Sequence, residues 1–177
     1  MSGGGGPIAR VNANDDPNIA DYLRATALIS HCATNDHDGM KAALGEAKTE
    51  RLVPLLRALD AAYRVVIEHF RTPGAAQAID DKIRALTTTE GGDSWDTYNR
   101  YAARVIMAMR AEDRTAFNSV LEDVNRDYAP RRLIGAVADV YTKLLPELST
   151  PAGEELMSNW IARLTDFENQ KKNADTN

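Results

Sequence analysis

The stretch "SHCATNDHD" holds the densest set of side chains in this sequence that could do chemistry: His31, Cys32, Asp36, His37 and Asp38. Imidazole, thiolate and carboxylate are ligands for zinc and iron, and such a site needs three or four of them converging on one point. A cysteine paired with a histidine could instead act as a nucleophile. The spacing argues against both. Adjacent residues on a helix point about 100° apart, so His31 and Cys32 do not converge unaided. The expected roles are a small core residue for Cys32, a boundary residue for His31 and a helix cap for Asp36. His31, Cys32 and His37 are the candidate metal ligands, but the sequence assigns them no metal and predicts no cofactor.

Other motifs fare no better. A di-iron bundle needs Glu-x-x-His on facing helices, and the chain has only the dipeptide Glu68-His69. The glycine runs at Gly3–Gly6 and Gly91-Gly92 lack the preceding strand and the following Lys-Ser or Lys-Thr of a phosphate loop. No catalytic residue and no small-molecule substrate site is legible.

The elements that carry these residues read as helices throughout. Apolar residues recur at three-and-four spacing: Ile19, Tyr22, Leu23, Thr26 and Ile29 first, then Met40, Ala43, Leu44 and Ala47. A long third run goes from Leu52 to Phe70, and a fourth carries Ile79, Ile83 and Leu86. Asp16-Pro17 is read as the first helix start, with Pro54 in the first turn of the third helix, where its missing N–H costs little. After "TTTEGGDS" the series begins again. Tyr98 to Met109, Phe117 to Val124, Pro130 to Leu148 and Pro151 to Phe167 give four more helices.

The two series correspond. "YRVVIEHFRTPG" from Tyr63 is answered by "YTKLLPELSTPA" from Tyr141, an offset of 78. Leu55 pairs with Leu133, Thr72-Pro73 with Thr150-Pro151, and Ile83 with Ile161 at the same offset. Matched positions are apolar-face or cap positions, which two copies of one helical unit would share. The fold expected is therefore all-α: two tandem, similar four-helix units of about eight helices, packed with approximate two-fold pseudo-symmetry. The divisions are residues 1–16 as a flexible lead, 17–88 as unit 1, 89–94 as linker, 93–168 as unit 2 and 169–177 as a flexible tail.

Composition narrows the function classes. Net charge is −5, and 17–88 balances nine acids against nine bases while 93–168 holds thirteen acids and nine bases. Neither half has the cationic excess that phosphate neutralisation needs, so nucleic acid is an unlikely partner. A single cysteine excludes an intramolecular disulfide and fits a reducing, cytoplasmic setting. The N-terminus has neither the basic start nor the apolar stretch of a secretory signal, and no apolar run is long enough to span a membrane.

What remains is association. Trp95 follows the glycine-rich break, and Met157, Trp160 and Phe167 share the broad apolar face of the last helix; these four are the candidate partner-binding residues. The leading expectation is a non-enzymatic protein-interaction module (an adaptor, regulator or assembly factor) that binds another protein, or a second copy of itself, through helix faces. The alternatives are a DNA-binding regulator, a structural component of a virion or other particle, and a metal-dependent enzyme using His31 and His37.

Overall fold

Caps, more than apolar runs, decide where the helices begin. A computed structural model describes residues 15–88, 97–127 and 129–175. Asn18 caps the first helix, α1 (Ile19–Ala33), and not Asp16 as the Asp-Pro pair suggested. The Asp21 N–H donates to Asn18 Oδ1 at 3.0 Å, and the Asn18 N–H donates back to Asp21 Oδ2 at 2.8 Å. This reciprocal box satisfies two otherwise orphaned donors and outcompetes a start two residues earlier. Asp21 is buried, and Arg51 pairs with it from the turn before the third helix.

Asp36 caps α2 (His37–Glu46), as expected, and Asp113 caps α6 (Arg114–Arg126) in the same way. Between them in the chain lie α3 (Leu52–Phe70), α4 (Pro73–Thr88) and α5 (Thr97–Arg110). The seventh helix, α7 (Pro130–Leu144), stops before Pro146, and Pro146–Ser149 form a tighter 3-10 turn. The expected helix through Leu148 is thus cut short, because a proline cannot supply the N–H that a continuing ladder needs. Thr150 then caps α8 (Pro151–Ala174), which runs through most of the stretch read as a tail. The chain is all-helical, with eight α-helices and no strand among the described residues. Trp95 and the linker 89–94 lie outside those residues.

The apolar stripes of these helices meet in one core. Leu28 and Ile29 of α1, Leu55 and Leu59 of α3, Ile83 of α4, Ile106 of α5 and Leu133 of α7 are all fully buried within it. Burying a side chain of this size stabilises by about 1.5–3 kcal/mol, so truncation of any one to Ala should cost about 2–5 kcal/mol.

The pairing of helices carries the architecture. α1 packs on α3, α5 packs on α7, and α3 meets α7 at the centre. α2 leans on α1 and α6 on α5. The fourth helix of each series does not stay with its own neighbours: α4 lies along α5 and barely touches α3, while α8 lies along α1. α4 is therefore covered mainly by α5, and α8 mainly by α1.

Candidate functional site

At the centre of the molecule, Tyr63 of α3 and Tyr141 of α7 stack with ring centroids 4.4 Å apart and planes 18° from parallel. Both rings are fully buried, because each lies on the apolar stripe of a long core helix. A buried phenol needs a hydrogen-bond partner, and the two find different ones. Tyr63 donates to the Ala138 carbonyl at 3.0 Å and shares a second bond of 2.9 Å with the Thr142 hydroxyl. Tyr141 donates to Asp60 Oδ1 and accepts from Arg110 Nη2 at 3.0 Å. Burial pushes both phenols well above the ordinary tyrosine value, and around Tyr141 the Asp60 carboxylate adds to that push.

The polar network around Tyr141 continues outward. Arg110 also pairs with Asp80 of α4, and Arg64 Nε lies 3.2 Å from Asp60 Oδ2. Asp60 is buried, so its charge is compensated by the Tyr141 hydroxyl on one oxygen and a guanidinium on the other. Asp60 and Arg64 of this network also line a groove of about 430 Å3 between α3 and the α5–α6 pair, with Arg57, Met109, Arg114 and Phe117 around it. Sequence reasoning missed it. Arg57, Asp60 and Arg64 fall on one face of α3 at i, i+3, i+7, which was a usable signal, but Tyr141 lies 81 positions from Asp60 and no periodicity links them.

The group that opened the sequence reading is not gathered into one site. His31 Nδ1 sits 2.8 Å from Asp36 Oδ2, a local contact between the end of α1 and the cap of α2. Gly39 makes room for it, since a Cβ there would overlap both side chains. The Asp36 carboxyl is held below its usual value, first by the Gly39 N–H and then by His31. Cys32 faces the other way, half-buried beside the Thr142 side chain, and burial raises its thiol. His37 is exposed. Among the described residues no three His, Cys, Asp or Glu side chains are placed to hold one metal ion.

The predicted partner-binding residues on α8 divide along its length. Met157 is buried against α1 and Trp160 packs partly on the same core, so both belong mainly to the fold. Phe167 is 60% exposed, and Ile161 and Leu164 are half-buried on the same side. α8 starts beside the end of α1, where Ser149 Oγ donates to the Ala33 carbonyl at 2.8 Å. It has 24 residues against 15 in α1, roughly 36 Å against 22 Å at 1.5 Å per residue. The last turns of its apolar stripe therefore have little of α1 left to cover them. The structure thus offers a polar groove beside α3 and an apolar helix end on α8.

No family model, no curated protein and no solved structure matches this chain.

Proposed function

We propose that this chain is a non-enzymatic interaction module that binds another protein through the C-terminal half of α8. The observation that carries the reading is the exposure of Phe167 at 60% beside Leu164, in a molecule whose only other exposed large hydrophobic among the described residues is Val65. A large apolar ring left in water at the end of an amphipathic stripe that includes Ile161 and Leu164 supports association there.

The partner is a helix of the same pattern, and a second α8 supplies it. With Leu164 and Phe167 at the seam, Arg163 of one copy faces Glu168 of a parallel copy, five residues further on, as flanking charges do in coiled coils. Glu168 already contacts Lys172 at 3.4 Å, an exposed pair that adds little and yields readily. Sedimentation equilibrium of the full chain tests this. Self-association is expected, weakened at least tenfold by Phe167→Ser, weakened by Arg163→Glu, and recovered in the double variant Arg163→Glu/Glu168→Arg. A chain that stays monomeric, with Phe167→Ser leaving every property unchanged, sinks the reading.

The same proposal includes the ancestry of the scaffold. The chain reads as two copies of one four-helix unit with their fourth helices exchanged, supported by the 78-residue offset and by the packing of α4 on α5 and α8 on α1. A fragment ending at Thr88 should then expose Ile79, Ile83 and Leu86 and lose helicity. Adding the fragment from Thr89 onward should restore the circular dichroism of the whole. A first fragment that folds cooperatively by itself contradicts the exchange.

A further inference from the structure

The groove beside α3 lies on a different face from the α8 surface and has its own charge logic. Arg57 and Arg64 stand two helical turns apart on α3, roughly 10 Å, with the small Ala61 between them. Arg114 faces them from the first residue of α6. Opposite Ala61, Ala108, Met109 and Phe117 supply apolar wall. The volume of about 430 Å3 is that of a small-molecule site.

Three acids also line the groove, but two are committed. Asp60 is held by Tyr141 and Arg64, and Asp113 accepts from the Ala116 N–H at 2.9 Å as the α6 cap. Glu112 is the third. On the cationic side, Arg64 is anchored through Nε, which leaves both terminal nitrogens of its fork without a hydrogen bond among the described residues. Among the described residues Arg57 holds only the Asp15 carbonyl and the highly exposed Asp16, each at 3.3 Å. Arg114 has no ion pair among the described residues, so three guanidiniums with spare donors surround an apolar hollow. Arginine's planar fork matches carboxylate, sulfonate and phosphate oxygens in pairs.

We propose that this groove binds a small amphiphilic organic anion, its acidic head held by Arg64 with Arg57 and Arg114, and its apolar body lying against Met109 and Phe117. The test titrates the full chain with 8-anilinonaphthalene-1-sulfonate and reads its fluorescence, then competes it with octanoate, octylammonium and octanol. One saturable site is expected, displaced by octanoate and by neither of the other two. Arg57→Ala and Arg114→Ala should each weaken binding about tenfold, the loss of one charge-assisted contact. Ala61→Leu should fill the hollow and abolish binding while circular dichroism stays unchanged, which separates blockage from misfolding. Phe167→Ser should leave the titration as it was. The proposal is overturned if the probe does not bind, if the arginine variants bind normally, if octylammonium or octanol competes as well as octanoate, or if Phe167→Ser removes the signal.

Discussion

Of the two flanks of the Tyr63–Tyr141 stack, one is closed and the other open. On the Tyr63 flank, α1 and α2 both press on α7. Leu44 of α2 comes so near Gly135 that a Cβ there would sit 3.7 Å from its methyl. Arg131 then ties the flank shut, donating to the Leu44 carbonyl at 3.0 Å and the Ala47 carbonyl at 2.8 Å. On the Tyr141 flank, α5 and α6 stand off α3, and the groove runs between them. At the 78-residue offset, Gly135 answers to Arg57. A glycine on α7 admits the neighbouring helix, whereas on α3 the long charged Arg57 lines the open groove. The hydrogen-bond partners of the two rings divide as well: Tyr63 meets the neutral Ala138 carbonyl and Thr142 hydroxyl, and Tyr141 meets the ionic Asp60 and Arg110.

The largest test of this contrast is alkaline pH. Both phenols are raised, so they are protonated in the fold at a pH where an unfolded tyrosine, near 10, has lost its proton. Their contribution to stability is complete below the unfolded value and is lost as pH rises above it. Absorbance at the tyrosinate band should show Tyr63 and Tyr141 ionising only together with loss of helix. Ionisation of Tyr63 and Tyr141 while the helices remain intact would break the description of the stack as sealed.

Next come the two hydroxyls themselves. Removing the Tyr141 hydroxyl strips a bond from a buried carboxylate, so Tyr141→Phe should cost about 2–3 kcal/mol in urea unfolding. Tyr63→Phe removes neutral bonds and should cost about 1 kcal/mol. Equal losses would mean the flanks do not differ electrostatically.

Gly135 sharpens the steric half of the comparison. A Cβ there meets Leu44 at ordinary contact distance, so Gly135→Ala should stabilise by up to about 1 kcal/mol through helix propensity. Gly135→Arg copies the open flank into the closed one and should instead cost about 1–3 kcal/mol by displacing Leu44. Hydrogen exchange in α2 should rise with it. If the arginine variant melts like the parent, Gly135 is not what closes the flank.

The smallest effect concerns Cys32. Its thiol is half-buried and raised by desolvation, so thiolate-dependent labelling at pH 8 should be slow compared with a free cysteine and should quicken in denaturant. Prompt labelling would show that the closed flank opens readily.

Much of the fold was legible because burial and capping leave local marks. The eight apolar stripes, the Asp36 cap, the Thr150-Pro151 start and the paired tyrosines could each be read within a few turns of helix. The first cap was misread because Asp16-Pro17 and Asn18 compete, and only the Asn18–Asp21 pairing shows which wins. The seventh helix was drawn too long because its apolar spacing continues past Pro146. The site was far less legible. His31, Cys32 and His37 drew notice by residue type alone, yet α1 turns Cys32 towards Thr142 and His31 towards Asp36. Trp160 and Met157 belonged to the same stripe as Phe167, and sequence could not say where along α8 its cover would end.

The sequence by itself determined which residues are apolar, at what period they recur and where chains of backbone donors find a cap. Those properties are local, and they specify an all-helical chain of eight helices. Tertiary structure alone decided that α4 and α8 cross to the other series, and that one flank of the tyrosine stack closes while the other stays open. The first rests on contacts such as Arg110 with Asp80 and Ser149 with Ala33, and the second on contacts between residues about 80 positions apart (Tyr63 with Thr142, Tyr141 with Asp60, Arg131 with Leu44). Their energies come from shape and charge at helix crossings, which no helical period encodes.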